Sequence, residues 1–119
     1  MNQVLLNSRR AAQLVNKAGR AAVVLKSISN KSRLLILCQL VQGEKSVGEL
    51  EGLIDLSQSA LSQHLAVLRK NGLVKTRREA QMIFYSIRGT EVPAIMTALY
   101  DLYCRSPTPV SDGAAVRKR

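Results

Sequence analysis

The fold of this chain is decided by residues 56–72, LSQSALSQHLAVLRKNG. Ser57 favours a helix start, because its hydroxyl can accept a hydrogen bond from an unpaired backbone N–H, and Gly72 suits the left-handed residue that follows a helix. At about 100° per residue, the apolar side chains gather on one side of this helix. The other side carries short neutral side chains and no carboxylate, so it can approach base edges closely without repelling phosphates. The stretch therefore has the pattern of a DNA recognition helix.

The composition indicates one globular domain with a polyanionic partner. The chain has 119 residues, of which 46% are hydrophobic, 18 are basic and 8 are acidic, and its formal net charge is +10. This charge favours nucleic acid or an anionic membrane surface. A membrane-surface helix needs Trp or Phe on its apolar face, whereas this chain has no Trp and a single Phe in a predicted strand. Without a spanning segment or a signal-peptide pattern, we expect a cytoplasmic protein with reduced cysteines and no membrane partner.

Helical periodicity predicts four further helices. They cover residues 8–28, 31–40, about 47–54 and about 91–103. Asn30 is a suitable N-cap for the second helix, Ser46 and Glu49 fit a capping box at the third, and Thr90 is the expected cap of the last. Only residues 55–57 separate the third helix from the recognition helix. Two helices joined this tightly indicate a helix-turn-helix.

After Gly72 the period changes from 3.6 to 2. Residues 74–78 alternate, residues 82–87 are rich in strand-forming side chains, and residues 79–81 form the predicted tip between them. A hairpin directly after a helix-turn-helix is a wing. The predicted fold is therefore mainly α with a two-stranded β-hairpin, a five-helix winged helix-turn-helix over residues 8–105. Residues 1–7 are expected to be a flexible N-terminus and residues 106–119 a disordered basic tail.

The location of charge supports DNA binding more than its total does. Between residues 56 and 90 a single acid, Glu79, stands against six basic residues: Arg69, Lys70, Lys75, Arg77, Arg78 and Arg88. Residues 42–55 instead hold four acids and one lysine. The basic excess thus lies on the recognition helix and the wing, although any single charged cluster can be no more than a solvated face.

Three motifs resemble the ArsR/SmtB family of bacterial repressors: LSQSALSQHL at 56–65, RKNGLV at 69–74 and RREAQ at 77–81. The resemblance covers about residues 18–105. It implies a homodimer joined by the first and last helices, which represses by binding an inverted repeat in double-stranded promoter DNA until an inducer binds or reacts. The implied DNA contacts, to which the charge distribution adds Arg69 and Lys75, are Val47, Gln58, Ser59, Ser62, Gln63, Arg77, Arg78 and Gln81.

His64 is the only histidine and lies inside the recognition motif. A base or phosphate contact is one interpretation. The helical wheel, however, places His64 between Ala60 and Leu68 on the apolar side. We therefore expect a packed imidazole with one hydrogen-bond partner, and Ser59, Ser62 and Gln63 left exposed.

The resemblance also directs attention to the sensing chemistry. Metal-detecting members use thiolates in the third helix or His and acidic pairs in the last, and neither set is present here, so we expect no metal site and no cofactor. Cys38 and Cys104 remain. Either alone could be a small buried hydrophobe, but Cys104 ends a helix beside Arg105, where it is accessible and a cation favours the thiolate.

This pair of cysteines resembles the dithiol branch of the family, the BigR, SqrR and HlyU-like repressors. The branch implies that persulfides (reactive sulfur species) or other oxidants link the two thiols within one subunit, as a disulfide or a longer sulfur bridge. We expect Cys104 to react first and Cys38 to resolve, because exchange requires a thiolate.

Other functions receive less support from the sequence. We expect no enzyme, because the chain lacks a phosphate-binding glycine motif, a nucleophile elbow and a pair of carboxylates with a pocket. Two alternatives stay open at this point. One is a regulator of this family that responds to a metal or to no inducer, and the other is a non-specific nucleoid-associated DNA-binding protein.

Overall fold

The computed structural model describes residues 7–105, and the described part contains five α-helices. They are Ser8–Ile28 (α1), Lys31–Leu40 (α2), Val47–Leu53 (α3), Gln58–Lys70 (α4) and Glu91–Tyr100 (α5), and a π-helical turn, Asp101–Arg105, continues α5. Residues 54–57 join α3 to α4 as the turn of the helix-turn-helix. Most of the predicted flexible N-terminus, residues 1–6, and the predicted tail, residues 106–119, lie outside the described part.

Local capping chemistry explains where most of these helices begin. The Asn30 side chain caps α2 by accepting from a backbone N–H at 3.1 Å. Ser46 and Glu49 form the predicted capping box at α3, with bonds of 3.1 and 2.7 Å. The expectation for Thr90 was wrong, because its side chain makes no cap bond to α5. Thr90 does occupy the N-cap position, but its φ of −111° and ψ of −5° depart from the extended backbone that a side-chain cap normally has.

The predicted hairpin is confirmed, and a short third strand extends it. The strands are Lys45–Ser46 (β1), Val74–Glu79 (β2) and Met82–Ile87 (β3), all antiparallel in the order β1-β3-β2. Glu79 pairs with Met82, so Ala80 and Gln81 alone form the tip. Ala80 has a φ of +57°, which costs an L-residue energy at this turn.

The hydrophobic core lies where α2, α3 and α4 meet the base of the hairpin. Its buried members are Val24, Ile28, Ile36, Leu37, Leu40, Leu50, Ile54, Leu61, Leu65, Leu68, Leu73, Val74 and Val92. Only the C-terminal part of α1 contributes to it, and residues 12–20 of that helix are exposed. Within residues 7–105, no helix combines the length and the apolar character that crossing a bilayer would require.

Candidate DNA-binding surface and thiol groove

The outward face of α4 is open along its first two turns. Gln58, Ser59, Ser62 and Gln63 are all exposed, whereas Leu61 is fully buried. At 100° per residue the four polar side chains span about 140° of the helix, and at 1.5 Å per residue they extend over about 8 Å of its length. This face carries amide and hydroxyl groups of the kind that pair with base edges in the major groove. We name it the reading face; the exposure of its members agrees with the helical wheel.

Both ends of α4 are fixed by local hydrogen bonds. The Ser57 hydroxyl accepts from the Ala60 N–H at 3.1 Å, as the sequence predicted. At the other end, the Leu73 N–H bonds to the Leu68 carbonyl at 2.9 Å across Gly72, whose φ is +78°. This is the Schellman arrangement, which requires a left-handed residue at the position of the glycine. The helix therefore holds a defined length and direction beneath its reading face.

His64 lies on the packing side of α4, as the helical wheel indicated. It is half-buried, and its Nδ1 lies 3.3 Å from Nη1 of Arg33 on α2. Since a guanidinium can only donate, Nδ1 must accept, which places the proton of the neutral imidazole on Nε2. Arg33 also donates through Nε to the Ser27 carbonyl at 2.5 Å. Arg33 thus joins α1, α2 and α4 at one point.

A second arginine ties the C-terminal end of α4 to both α1 and α5. Arg20 of α1 donates to the two carboxylate oxygens of Glu91 at 2.9 and 2.6 Å and to the Asn71 carbonyl at 2.9 Å. The Asn71 amide in turn donates to the Ser27 hydroxyl at 2.7 Å. The hydrogen bond from Arg20 lowers the pKa of Glu91. Sequence reasoning missed this network, because partners 44 to 71 residues apart leave no local pattern.

Arg77, a predicted DNA contact in the wing, is already paired within the protein. Its guanidinium bonds to both carboxylate oxygens of Glu44 at 2.8 Å and to Glu79 at 3.1 Å. It also lies over the Phe84 ring, 4.5 Å from the centroid, where a cation is attracted by the electrons of the ring. Arg77 would have to exchange these partners, or share them, to contact a phosphate.

The remaining wing candidates are exposed but divide between two faces of the hairpin. Because side chains alternate along a strand, Lys75 and Arg77 share one face of β2, while Arg78 lies on the other. Gln81 is exposed at the tip. The wing candidates therefore lie on opposite sides of a narrow hairpin. They do not form one continuous strip along the DNA backbone.

Two predicted DNA contacts differ in their accessibility. Arg69 is exposed at the C-terminal end of α4, on the side of the helix that carries Gln58 and Ser62. Val47, the first residue of α3, is half-buried and packs against the core. Val47 therefore offers less surface for a contact than the exposed side chains of α4.

Cys38 and Cys104 line the same groove between α2 and the end of α5. The groove has a volume of about 630 Å³ and is lined by Leu34, Cys38, Val41, Gln42, Pro93, Met96, Thr97, Leu99, Tyr100, Tyr103 and Cys104. Both cysteines are unlinked and exposed. We name this feature the thiol groove.

The environments of the two thiols differ. Desolvation by neighbouring side chains raises the pKa of Cys38, and the negative charge of a Cys104 thiolate raises it further. Cys104 lies in the π-helical turn after α5. Arg105, expected to favour its thiolate, pairs with Asp101 at 3.3 Å. The cation beside Cys104 is therefore shared with a carboxylate one turn earlier.

Large apolar side chains remain exposed on two helices away from the reading face. On α1 these include Leu14, Val15 and Leu25, which are 49, 71 and 57% exposed. At the end of α5 Leu102 and Tyr103 are 63 and 76% exposed. Several large apolar side chains left exposed on one element are typical of interaction sites. Among residues 7–105, no group of three or more His, Cys, Asp or Glu side chains is placed to hold a metal ion.

Comparison with known proteins identifies regulators rather than enzymes. The model of the arsR family of bacterial regulatory proteins matches residues 30–76, which run from the cap of α2 into β2. The transcriptional activator HlyU of Vibrio cholerae is 51% identical over 94 residues, which are 79% of this chain and 87% of the relative.

Solved structures agree over most of the described part. The reduced form of HlyU from Vibrio cholerae superposes with a TM-score of 0.72 at 52% identity, covering 77% of this chain and 97% of that one. The transcriptional repressor BigR from Xylella fastidiosa gives 0.76 at 41% identity, covering 79 and 96%. The homodimeric winged helix-turn-helix domain of Mb0332 from Mycobacterium bovis gives 0.65 at 30%, covering 84 and 89%.

Proposed function

Because this chain belongs to the arsR family of bacterial regulatory proteins and is a DNA-binding transcriptional regulator like HlyU and BigR, we propose that it is a redox-controlled repressor. It binds an inverted-repeat operator as a homodimer and releases the DNA when Cys38 and Cys104 are linked. The observation that carries this proposal is that the only two cysteines of the chain line one groove: Cys38 is on α2, which contacts α4, and Cys104 is in the turn that continues α5.

The reading face supplies sequence recognition. The proposed DNA contacts are the ones expected from the sequence: Val47, Gln58, Ser59, Ser62, Gln63, Arg69, Lys75, Arg77, Arg78 and Gln81. Amides and hydroxyls on α4 discriminate between bases, while the arginines and Lys75 neutralise phosphates and fix the register. The absence of any carboxylate on α4 lets this face approach the groove without repulsion.

The homodimer buries the apolar faces of α1 and α5. In support, Leu14, Val15, Leu25 and Leu102 are exposed in the single chain, and the similar domain Mb0332 is homodimeric. A two-fold axis through this interface would present two copies of α4 to one side of the DNA. Two half-sites one helical turn apart require a spacing of about 34 Å between the recognition helices.

The switch is a two-electron oxidation of the two thiols. The Cys104 thiolate attacks the outer sulfur of a persulfide, RSSH, and displaces the thiol RSH, which leaves a persulfide on Cys104. The Cys38 thiolate then attacks Sγ of Cys104 and displaces hydrogen sulfide. Overall the two thiols lose two hydrogens, and the persulfide is reduced to RSH and hydrogen sulfide. The raised pKa of Cys38 supports this order, since Cys38 is then the weaker first nucleophile.

Linking the cysteines constrains α2 against the end of α5, and both helices are tied to α4. The tie from α2 is the bond between Arg33 and His64, and the tie from α5 passes through Glu91 and α1. Small movements of α2 and α5 therefore change the placement of the recognition helices in the dimer. Coupling of about 1–3 kcal/mol is typical between two sites and corresponds to roughly 5–150-fold in affinity.

The test compares operator binding by defined chemical forms of the protein. The protein is titrated onto the promoter DNA of its own gene and onto random DNA in four forms: reduced, persulfide-treated, peroxide-treated and zinc-loaded. The intact mass of each form is then measured by mass spectrometry. We expect the reduced form to prefer the promoter, and the form that releases it to have lost two hydrogens or gained sulfur.

Matched variants decide between the alternatives. The Cys38→Ser variant should stay bound to the operator after oxidation. If this variant dissociates from the operator while Cys104 is unlinked, the dithiol mechanism is wrong. Release by zinc alone would identify a metal-responsive regulator. Equal affinity for promoter and random DNA at every salt concentration would instead indicate a nucleoid-associated protein, because contacts to the backbone alone carry no sequence preference.

A further inference from the structure

The thiol groove is built for an uncharged ligand. None of its eleven lining residues is charged, and most are aliphatic or aromatic. Its volume of about 630 Å³ falls within the range of pockets that hold small molecules, about 300–1,000 Å³. Three charged residues adjoin lining residues in the chain: Arg33 bonds to Ser27 and His64, and Asp101 and Arg105 pair with each other. The lining itself therefore offers no cation to an anionic donor.

From this lining we propose that the groove is a binding site for uncharged, apolar organosulfur donors, such as dialkyl or diaryl disulfides and hydropersulfides, which it selects over anionic ones. The inference rests on the proposed function and names the class of molecule that operates its switch. The walls formed by Leu34, Met96, Leu99 and Tyr100 hold the organic group of the donor between the two thiols. An apolar donor gains free energy from leaving water, whereas a carboxylate loses hydration without gaining a partner.

For a disulfide donor, RSSR, the reaction closes without any further reagent. The Cys104 thiolate forms a bond to one donor sulfur, which breaks the S–S bond and releases RS⁻. The Cys38 thiolate then attacks Sγ of Cys104 and releases the second RS⁻. The two thiols are oxidised to one protein disulfide, their two protons pass to the leaving groups, and the donor is reduced to two RSH.

One further observation supports selection by polarity, and a second makes its test more stringent. The apolar side chains that line the groove around Cys38 partly desolvate its thiol and so raise its pKa. The chain as a whole carries a net charge of +10, which attracts anions to its surface. The net charge alone would therefore make the reaction with an anionic donor the faster one. A faster reaction with a neutral donor must come from the groove itself.

The test uses two chromogenic disulfides that differ in charge. The reduced full-length protein reacts with neutral 2,2′-dithiodipyridine or with dianionic 5,5′-dithiobis(2-nitrobenzoate), and each rate is divided by that of the same chain unfolded in guanidinium. We expect the normalised rate to be about tenfold or more higher for the neutral probe, as burial of a small aromatic surface predicts. The neutral rate should also saturate with probe concentration, since binding precedes reaction. A normalised rate equal or higher for the dianion overturns the proposal.

Two groove variants and one control connect the selectivity to the groove. Thr97 is exposed and lines the groove, so Thr97→Lys should speed the dianion about three- to tenfold and leave the neutral probe unchanged. Ala66→Lys adds the same charge on the exposed face of α4 and should alter neither rate by as much. Tyr100→Ala should slow the neutral probe several-fold. Equal effects of the two lysines, or no effect of Tyr100→Ala, overturn the proposal.

The outcome is separable from that of the proposed function. These rates are measured without DNA and concern only which donor reaches the thiols. Loss of selectivity together with normal release of the operator by the linked protein overturns this inference alone. Selective reaction supports it, even if the linked protein keeps its operator and the proposed switch is wrong.

Discussion

The bond between Arg33 and His64 gives the sharpest test of how α4 is held. Arg33→Ala removes a short bond to the Ser27 carbonyl, at 2.5 Å, and a longer one to His64 Nδ1, at 3.3 Å. A bond from a charged donor contributes about 1.5–3 kcal/mol and a long one about 1. For this half-buried site we expect a loss of about 2–3 kcal/mol in the free energy of unfolding. In a domain of this size that is a fall in Tm of roughly 10–20 °C.

His64→Ala removes one of these bonds and a half-buried ring, so we expect a smaller loss of about 1–2 kcal/mol. The double variant should be less destabilised than the sum of the two by about 0.5–1 kcal/mol, because the two residues share one bond. Arg33→Lys keeps the charge and loses the planar fork that reaches two acceptors, so it should restore only part of the stability. Urea unfolding at one fixed protein concentration measures all four, since a dimer's stability depends on concentration.

Gln63 provides the matched control on the opposite side of the helix. Gln63→Ala should change stability by no more than about 0.5 kcal/mol and should weaken operator binding by about 1–3 kcal/mol if the amide pairs with a base. His64→Ala should show the reverse pattern in the same promoter titration. Loss of operator affinity by His64→Ala at unchanged stability, or strict additivity with Arg33→Ala, would refute the assignment of His64 to packing.

Three further predictions follow from single contacts. Gly72→Ala should lower the free energy of unfolding by about 1 kcal/mol or somewhat more, measured in urea, because φ is +78° there. Arg20 lowers the pKa of Glu91 below its ordinary 4.5, so the stability that Glu91 provides is present above that pH and is lost as the pH falls through the lowered value. The free energies of unfolding of wild type and Glu91→Gln, measured from pH 7 to 3, should therefore converge in acid. Glu44→Gln should release Arg77 for a phosphate contact and so tighten operator binding. The slope of log affinity against log salt should become steeper by about one, and an unchanged slope would contradict this prediction.

Local chemistry made much of the fold predictable from the sequence. Ser57 and Gly72 define α4 because a cap hydroxyl and a left-handed glycine act within a few residues of their position. The capping box of Ser46 and Glu49 is equally local. Strand β1 was not predictable, since a two-residue strand has no period and Lys45 becomes extended only by pairing with Tyr85, 40 residues later.

The candidate site also contains one part that the sequence predicts and one part that it does not. The reading face could be predicted because helical periodicity alone decides which side of α4 faces outward. The pairing of Arg77 with Glu44 could not, because it depends on β1 lying next to β3 in the folded sheet. Charge counting treated Arg77 as an available cation, whereas the structure surrounds it with two carboxylates and an aromatic ring.

In the proposed function, α4 would both contact bases and respond to the linking of Cys38 and Cys104, and two parts of the helix differ in their contacts. Residues 58–63 expose amides and hydroxyls, and these polar side chains make no hydrogen bond to other groups within residues 7–105. The second half of α4 is held by His64 to α2 and by Asn71 to α1, through bonds to Arg20 and Ser27. A substitution at Gln63 should therefore change which bases are preferred, whereas Asn71→Ala should leave that preference intact and reduce the difference in affinity between reduced and linked protein. If both variants shifted base preference alike, placement and reading would not be separate properties of this helix.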